Sequence, residues 1–282
     1  MIPIAFDYHR ASSLDDALKA VAAAGGNGKF VAGGHSLVPL MKLRLSEPGT
    51  LIDIARIPEL AGIRDKDGRI EIGATTVHHA VATSTLLQDR CPIVSEAAAT
   101  IGDTQVRNRG TLGGSLAHAD PSADMPAVMV ALDAEIQLRS ATGQRSVKAA
   151  DFFQDLFTVD LQPGEIITAV RLAPVKTAAY VKLYQKASHY AIVGVAAVLD
   201  VKGGKIQSAR VGLTGATTHA VRLPKLEQAL AGATKETVEQ VAANAGAGLA
   251  NVNSDIHASE EYRRAMVGVF AKRAVLAALA RA

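Results

Sequence analysis

Two short stretches of the sequence combine a glycine pair with polar side chains. Residues 31–36 read VAGGHS, and residues 110–115 read GTLGGS. Because adjacent glycines lack Cβ atoms, the backbone of such a turn can approach a ligand closely and direct successive N–H groups at it. Consecutive N–H groups form a concave site for an anion. Each stretch is therefore a candidate phosphate-binding turn, although each taken alone also fits an ordinary tight turn.

The residues around the second turn favour the binding role. Neither turn matches G-x-G-x-x-G or G-x-x-x-x-G-K-[ST], so the usual nucleotide fingerprints are absent. Polar side chains nevertheless flank the second turn on both sides, namely Arg107, Asn108, Arg109, His118, Asp120, Ser122 and Asp124. Packing alone does not explain this density of polar groups between apolar helices.

The elements that must position the first turn form a small α/β unit. The segment SSLDDALKAVAAAGG predicts a helix that Ser12 or Ser13 caps and that ends at the glycine pair. KFVAGG and TLIDIARI are typical of short buried strands, and SLVPLMKLRL predicts a helix start despite Pro39. The first turn thus lies between a strand and a helix.

The rest of the chain predicts two further regions. After residue 57, Asp67-Gly68 is typical of a hairpin turn, and PIVSEAAATIG predicts a helix that ends at Gly102. Pro174 marks a break. Beyond it, alternating segments predict a three-stranded antiparallel sheet with a turn at Gly203-Gly204, followed by helices over 224–249 and 259–281.

Composition excludes several classes of function. The 282 residues are 49% hydrophobic and 20% charged, the net charge is +3, and the chain has no Trp. These values, without a Lys/Arg cluster, argue against nucleic-acid binding. The single Cys91 excludes an all-thiolate iron–sulfur or zinc site built by this chain alone. No apolar run is long enough to span a membrane, and the N-terminus does not resemble a signal peptide, so a cytoplasmic location is expected.

The two turns and their flanks resemble a known family. VAGGHSLVPLMKLRL with LIDIARIPEL, and IGDTQVRNRGTLGGSLAHADPSADMPAV, are similar to the FAD-binding medium subunits of molybdenum hydroxylases, including carbon monoxide dehydrogenase and the xanthine dehydrogenase flavin domain. KLYQKASHYAIVGVAAVLDV and GLTGATTHAVRL resemble the C-terminal domain of that family. The resemblance implies an α+β fold: an FAD-binding domain of the vanillyl-alcohol-oxidase type over 1–176, with subdomains 1–56 and 57–176, and a C-terminal domain over 177–282.

The resemblance also implies a set of cofactor-binding residues. The first turn wraps the FAD diphosphate, and the second turn meets the same diphosphate from the other subdomain. The residues implied in these turns are Ala32, Gly33, Gly34, His35, Ser36, Thr111, Leu112, Gly113, Gly114 and Ser115. Asp124 matches an acid that hydrogen-bonds the cofactor, and Ile167 and Lys182 match residues near the flavin. Tyr190 matches a side chain that controls access to the flavin, although it also fits a partly buried tyrosine at a strand start.

The function implied is electron transfer through non-covalent FAD. The molybdenum cofactor and the [2Fe-2S] clusters are expected on a large and a small partner subunit, in a dimer of heterotrimers, and no residue here is expected to act on the primary substrate. The primary substrate and the electron acceptor are not implied. Two alternatives are a free-standing FAD-dependent oxidoreductase with its own substrate pocket and a scaffold subunit with degenerate turns. The C-terminal region is small for the former, and both turns are intact, which disfavours the latter.

Overall fold

The first layer of the molecule is a parallel sheet with helices between its strands. The structure, a computed structural model, describes residues 2–282. This layer contains β1 (Asp7–Arg10), α1 (Leu14–Ala23), β2 (Gly28–Val31), α2 (Leu37–Lys42) and β3 (Thr50–Asp53). The strand order is β1-β3-β2, so both outer strands pair in parallel with β3. The Ser13 side chain caps α1 by accepting from the Asp16 N–H at 3.1 Å, as the sequence predicts.

The second layer is an antiparallel five-stranded sheet of order β4-β5-β10-β6-β7, covered by short helices. A single 3₁₀ turn (Pro58–Leu60) leads into it. Its strands, with a separate β8-β9 pair, are β4 (Ile63–Lys66), β5 (Arg69–Gly73), β6 (Glu135–Arg139), β7 (Gln144–Lys148), β8 (Phe153–Asp155), β9 (Thr158–Val159) and β10 (Ile166–Leu172). Its helices are α3 (His78–Ala82), α4 (Thr85–Arg90), α5 (Pro92–Ala99), α6 (Thr104–Arg107), α7 (Leu112–His118), α8 (Asp124–Ala131) and α9 (Ala149–Phe152).

The third region is an antiparallel sheet backed by a long helix. It contains β11 (Ala178–Tyr184), β12 (Ala191–Lys202), β13 (Lys205–Thr214), β14 (Val221–Arg222), α10 (Pro224–Leu230), α11 (Val238–Ala242) and α12 (Glu260–Leu279). Three long strands and the Gly203-Gly204 turn agree with the sequence prediction, and both glycines have positive φ. The predicted count of three strands is wrong, however, because the two-residue β14 pairs with β13 as a fourth strand.

Two predicted helices also end earlier than the sequence indicates. The stretch 224–249 is not continuous, because Ala231 is extended and Gly232 has a φ of +81°, which separates α10 from α11. The helix α5 ends at Ala99 and not at Gly102. Gly232 has a left-handed conformation that no helix contains, and at the second place Thr100 and Ile101 separate the end of α5 from Gly102, whose φ is +47°.

Three apolar clusters hold these regions together. One lies under the parallel sheet, a second between the five-stranded sheet and its helices, and a third between β11–β13 and α12. The central cluster also takes in Ala178, Ala196 and Val198 from the third region, so that region packs directly against the helices of the second. No helix of residues 2–282 has the length and hydropathy needed to cross a membrane.

Candidate cofactor site at the two glycine turns

The first turn presents a row of unused backbone donors. It starts where β2 ends at Val31 and finishes where α2 begins at Leu37. Gly34 has a φ of +72°, which reverses the chain at a conformation that favours glycine. Within residues 2–282, no acceptor bonds the N–H groups of residues 32–37, and the Ser36 side chain makes no capping bond. The turn therefore has unbonded N–H groups along consecutive residues, which an anion could accept.

The second turn uses its backbone donors internally, which the sequence did not indicate. The Gly113 N–H donates to the Ala74 carbonyl at 2.8 Å, and the Gly114 N–H donates to Thr111 Oγ1 at 3.1 Å. The Ser115 N–H donates to the Thr111 carbonyl at 3.0 Å. The N–H groups of this turn are thus already bonded within the protein, and the turn offers the exposed Gly114 surface and the Ser115 hydroxyl to a ligand in their place.

The structure brings the two turns into direct contact. A Cβ atom built on Gly33 would lie 2.1 Å from the Arg109 carbonyl oxygen and 3.0 Å from the Gly110 Cα. Gly33 is therefore required by the approach of the second segment, and not only by a ligand. A Cβ on Gly114, in contrast, would approach only Thr111 Oγ1, at 2.8 Å. The Gly114 side of the second turn is open, so the space next to it can hold a ligand.

The residues at this contact fit the diphosphate of FAD. The first turn supplies N–H donors, and Ser36 and Ser115 supply hydroxyls. Arg109 is exposed and makes no ion pair within the described chain, so its charge is available to an anion. Across residues 2–282, no group of three His, Cys, Asp or Glu side chains is placed to hold a metal ion. The chemistry of these donors is that of an anion site and not of a metal centre.

Asp124 and Lys182, both implied by the family resemblance, form one buried ion pair. The Lys182 Nζ lies 2.9 Å from Asp124 Oδ2, and each side chain is 5% exposed. Tyr180 donates its hydroxyl proton to Asp124 Oδ1. Lys182 also donates to the carbonyl oxygens of Thr100 and His189, at 3.1 Å and 2.7 Å. The pair therefore ties the start of α8 to β11, to the end of α5 and to the loop before β12.

Burial governs the titration of this network. Burial raises the pKa of Asp124, and the nearby Lys182 ammonium and Tyr180 hydroxyl act in the opposite direction. Burial, with the Asp124 carboxylate, raises the pKa of Tyr180 well above its ordinary value. Because both Asp124 oxygens have protein partners, Asp124 acts here as a positioning residue for the surrounding elements.

Tyr190 and Ile167, the remaining residues that the family resemblance implies near the flavin, differ in exposure. Tyr190 is 46% exposed. The Gln185 N–H donates to the Tyr190 carbonyl oxygen at 2.9 Å, and this bond closes the loop between the two residues. Burial raises the pKa of Tyr190, and the negative charges of Asp120 and Asp124 act in the same direction. Ile167 is buried in the central cluster at a bulge in β10. Tyr190 is thus exposed and Ile167 is buried in the core, and the assignment of both to the cofactor stays a prediction.

His78 is a buried residue of this site that sequence reasoning missed. From the sequence, the adjacent histidines at 78–79 are not expected to form a metal site, because neighbours on a helix do not share a face. In the structure His78 is 4% exposed and its backbone N–H donates to the Gly110 carbonyl at 2.9 Å. Burial, and then the charge of His35, lowers the pKa of His78 to about 4. No sequence signal marks this position, because the burial depends on the distant segment at Gly110.

Because the pKa of His78 is low in the folded chain, the free energy of unfolding is expected to depend on pH. Its ordinary pKa is 6.5 and its folded value is about 4, so between these values the unfolded chain binds a proton that the folded chain does not. The stabilisation is complete above pH 6.5 and is lost as pH falls toward 4. In the FAD-free chain, protonation of His78 is expected to lower the free energy of unfolding by about 2 kcal/mol when the pH falls from 7.5 to 5.

Urea unfolding at both pH values measures this effect in the wild type and in His78→Gln, which does not titrate. The difference between the two proteins isolates His78 from His118 and His219, whose pKa values are also lowered by burial. An identical loss of stability in both proteins would contradict the assignment.

Two family models cover nearly the whole chain. The model described as the FAD binding domain in molybdopterin dehydrogenase matches residues 4–175. The CO dehydrogenase flavoprotein C-terminal domain matches residues 178–278. A site in which two glycine turns meet between a parallel and an antiparallel sheet is thus that of an FAD-binding protein. The chain belongs to the family of FAD-binding domains of the molybdopterin dehydrogenases.

Individual relatives agree over their full lengths. The carbon monoxide dehydrogenase medium chain of Hydrogenophaga pseudoflava is 39% identical, over 100% of this chain and 99% of that protein. The alpha subunit of the 6-hydroxypseudooxynicotine dehydrogenase complex of Paenarthrobacter nicotinovorans is 38% identical, over 100% and 97%. A solved carbon monoxide dehydrogenase from Hydrogenophaga pseudoflava, lacking the Mo-pyranopterin moiety of its cofactor, superimposes with a TM-score of 0.95 at 40% identity, over 100% and 99%.

These findings confirm the family resemblance, the two-part FAD-binding α+β fold and the FAD cofactor predicted from the sequence. They also confirm that the chain is a component of an oxidoreductase. The individual residues assigned to the cofactor stay predictions.

Proposed function

We propose that this chain is the FAD-carrying medium subunit of a cytoplasmic, heterotrimeric molybdenum hydroxylase. The observation that carries the proposal is the row of unused N–H groups over residues 32–37, held against the second glycine turn by the contact of Gly33 with Arg109. The full-length agreement with proteins named as a medium chain and as a complex subunit supports the assignment to a multi-subunit enzyme.

When bound, FAD would supply the redox chemistry for electron transfer between [2Fe-2S] clusters on a small partner subunit and an external acceptor. The protein supplies binding, orientation and electrostatics. The turns at 32–36 and 111–115 hold the diphosphate. The Asp124–Lys182 pair fixes the elements around the flavin end, and Tyr190 borders that end at the surface.

Oxidation of the primary substrate is assigned to a large partner subunit that carries the molybdenum cofactor. In this chain, Asp124 and Lys182 are buried and paired with each other, Asp124 also accepts from Tyr180, and neither is assigned a role as acid or base on the primary substrate. The chain then consists of an FAD-binding domain over 1–176, in two subdomains divided near residue 56, and a C-terminal domain over 177–282.

Purification of the chain from its native organism under non-denaturing conditions tests this function. The preparation is expected to contain flavin, molybdenum and iron together with two further polypeptides. Flavin alone, without metals or partner chains, would contradict the subunit assignment and favour a free-standing flavoenzyme. Absence of flavin from a preparation that contains both metals would contradict the cofactor role of this chain.

A further inference from the structure

His78 lies directly behind the place where the two glycine turns meet. A Cβ on Gly110 would lie 3.0 Å from His78 Cδ2 and 3.4 Å from His78 Nε2, so this edge of the imidazole ring faces Gly110. The Gly110 Cα in turn lies 3.0 Å from the position of a Cβ on Gly33. The Cδ2–Nε2 edge of the ring therefore faces the Gly110 backbone at the junction of the turns, and the Val106 carbonyl oxygen, 3.2 Å from the same Cβ position, also lies on this side.

The opposite edge of the ring is buried without a partner. His78 Nδ1 is one of few buried side-chain nitrogen or oxygen atoms within residues 2–282 that make no hydrogen bond, and Thr75 Oγ1, in the same connection between β5 and α3, is another. Native proteins rarely leave a buried donor unpaired, and an unpaired acceptor is tolerated better. The proton of a neutral His78 is therefore favoured on Nε2, which makes Nε2–H a donor aimed at the junction.

We propose that His78 is a further residue of the FAD site, whose neutral imidazole donates from Nε2–H to an anionic oxygen of the cofactor diphosphate where the two turns meet. This inference rests on the proposed function, because it requires FAD at the turns. The lowered pKa of His78 agrees with it, since the ring stays neutral at physiological pH. A neutral donor keeps this tautomer and needs no proton uptake on binding.

The charged groups around the ring leave this donor role intact. His35 on the first turn holds its own Nδ1 at 3.1 Å from the Gly33 carbonyl oxygen, and so is engaged at the rim. Arg107, on α6 near α3, donates to the Ile101 carbonyl oxygen at 2.8 Å, which directs it away from the junction. In this arrangement His78 supplies directional binding, and Arg109, which is exposed, supplies positive charge.

The test compares FAD dissociation constants, from flavin fluorescence quenching, for the full chain freed of FAD. A hydrogen bond to a charged group contributes roughly 10- to 100-fold in affinity. His78→Leu is therefore expected to raise the Kd for FAD by roughly that factor. His78→Gln, whose amide nitrogen can take the place of Nε2, is expected to stay within roughly threefold of wild type. His79→Leu, at the exposed neighbouring position, is the matched control and is expected to leave the Kd unchanged.

Nitrogen-15 NMR of His78 supplies a readout that a packing role would not move. We expect the Nε2–H tautomer in the FAD-free chain and a downfield shift of the Nε2–H proton when FAD is added. An Nδ1–H tautomer, equal weakening by His78→Leu and His78→Gln, or unchanged affinity in both variants would overturn the inference. Failure of the wild-type chain to bind FAD would instead overturn the proposed function, so the two failures are distinguishable.

Discussion

Replacement of Gly33 by valine is expected to abolish FAD binding and to lower the free energy of unfolding by about 3 kcal/mol. The first β-carbon alone would lie 2.1 Å from the Arg109 carbonyl oxygen, and a backbone atom cannot move aside as a flexible side chain can. The two turns must therefore separate, which removes the cradle that residues 32–37 form with the second turn. Flavin content and urea unfolding, measured on the same preparation, check both effects.

Gly114→Val is the matched control for this prediction. Gly114 is exposed, and its added Cβ would approach only Thr111 Oγ1, so the loss of stability is expected to be about 1 kcal/mol, the value of a helix cap. The branched side chain would nevertheless fill the open space beside the second turn and prevent FAD binding. A Gly114→Val chain with a full complement of FAD would contradict the placement of the diphosphate, and equal destabilisation by the two variants would contradict the contact at Gly33.

Replacement of Lys182 by methionine is the second substitution with a large expected effect. It leaves the Asp124 carboxylate buried with only Tyr180 as a partner, and it removes the donor to Thr100 and His189. Breaking a buried ion pair in this way typically costs about 3–5 kcal/mol. The free energy of unfolding is expected to fall by that amount, and the Kd for FAD to rise because the loop that carries Tyr190 loses its anchor.

A double-mutant cycle separates the ion pair from general packing. Asp124→Asn removes the charge that Lys182 compensates, so the double variant is expected to be less destabilised than the sum of the two single variants. Lys186→Met, on the exposed part of the same loop, is the matched control and is expected to change stability by less than about 0.5 kcal/mol. Additive effects of the two single substitutions would show that the pair is not coupled.

The sequence predicts the local parts of the site well, because each depends on residues next to one another. The glycine pair at 33–34 marks a turn, since it lies between an apolar strand and a helix start. The helix α1 begins after Ser13 because a serine side chain there can accept from the Asp16 N–H. The turns at 67–68 and 203–204 form as expected, since their residues all adopt the positive φ that such turns require.

The parts of the site that depend on distant contacts could not be predicted. Three features join residues that are far apart in the chain. They are the contact of Gly33 with Arg109, the packing of His78 against Gly110 and the ion pair between Asp124 and Lys182. The similar composition of the two turns also conceals a difference in hydrogen bonding. Ala74 and Thr111 take the N–H groups of the second turn, whereas residues 32–37 leave theirs unused.

A crystal structure of the chain with FAD tests most directly whether the two glycine turns together hold the diphosphate. The diphosphate oxygens are expected to lie within hydrogen-bonding distance of N–H groups of residues 32–37, with Gly114 and Ser115 on the opposite side. The principal rival location is the polar cleft on the five-stranded sheet, where Arg145 and Arg171 are already paired with Asp160, Glu165 and Glu71. Density for the diphosphate in that cleft, or against one glycine turn only, would contradict its placement between the two turns.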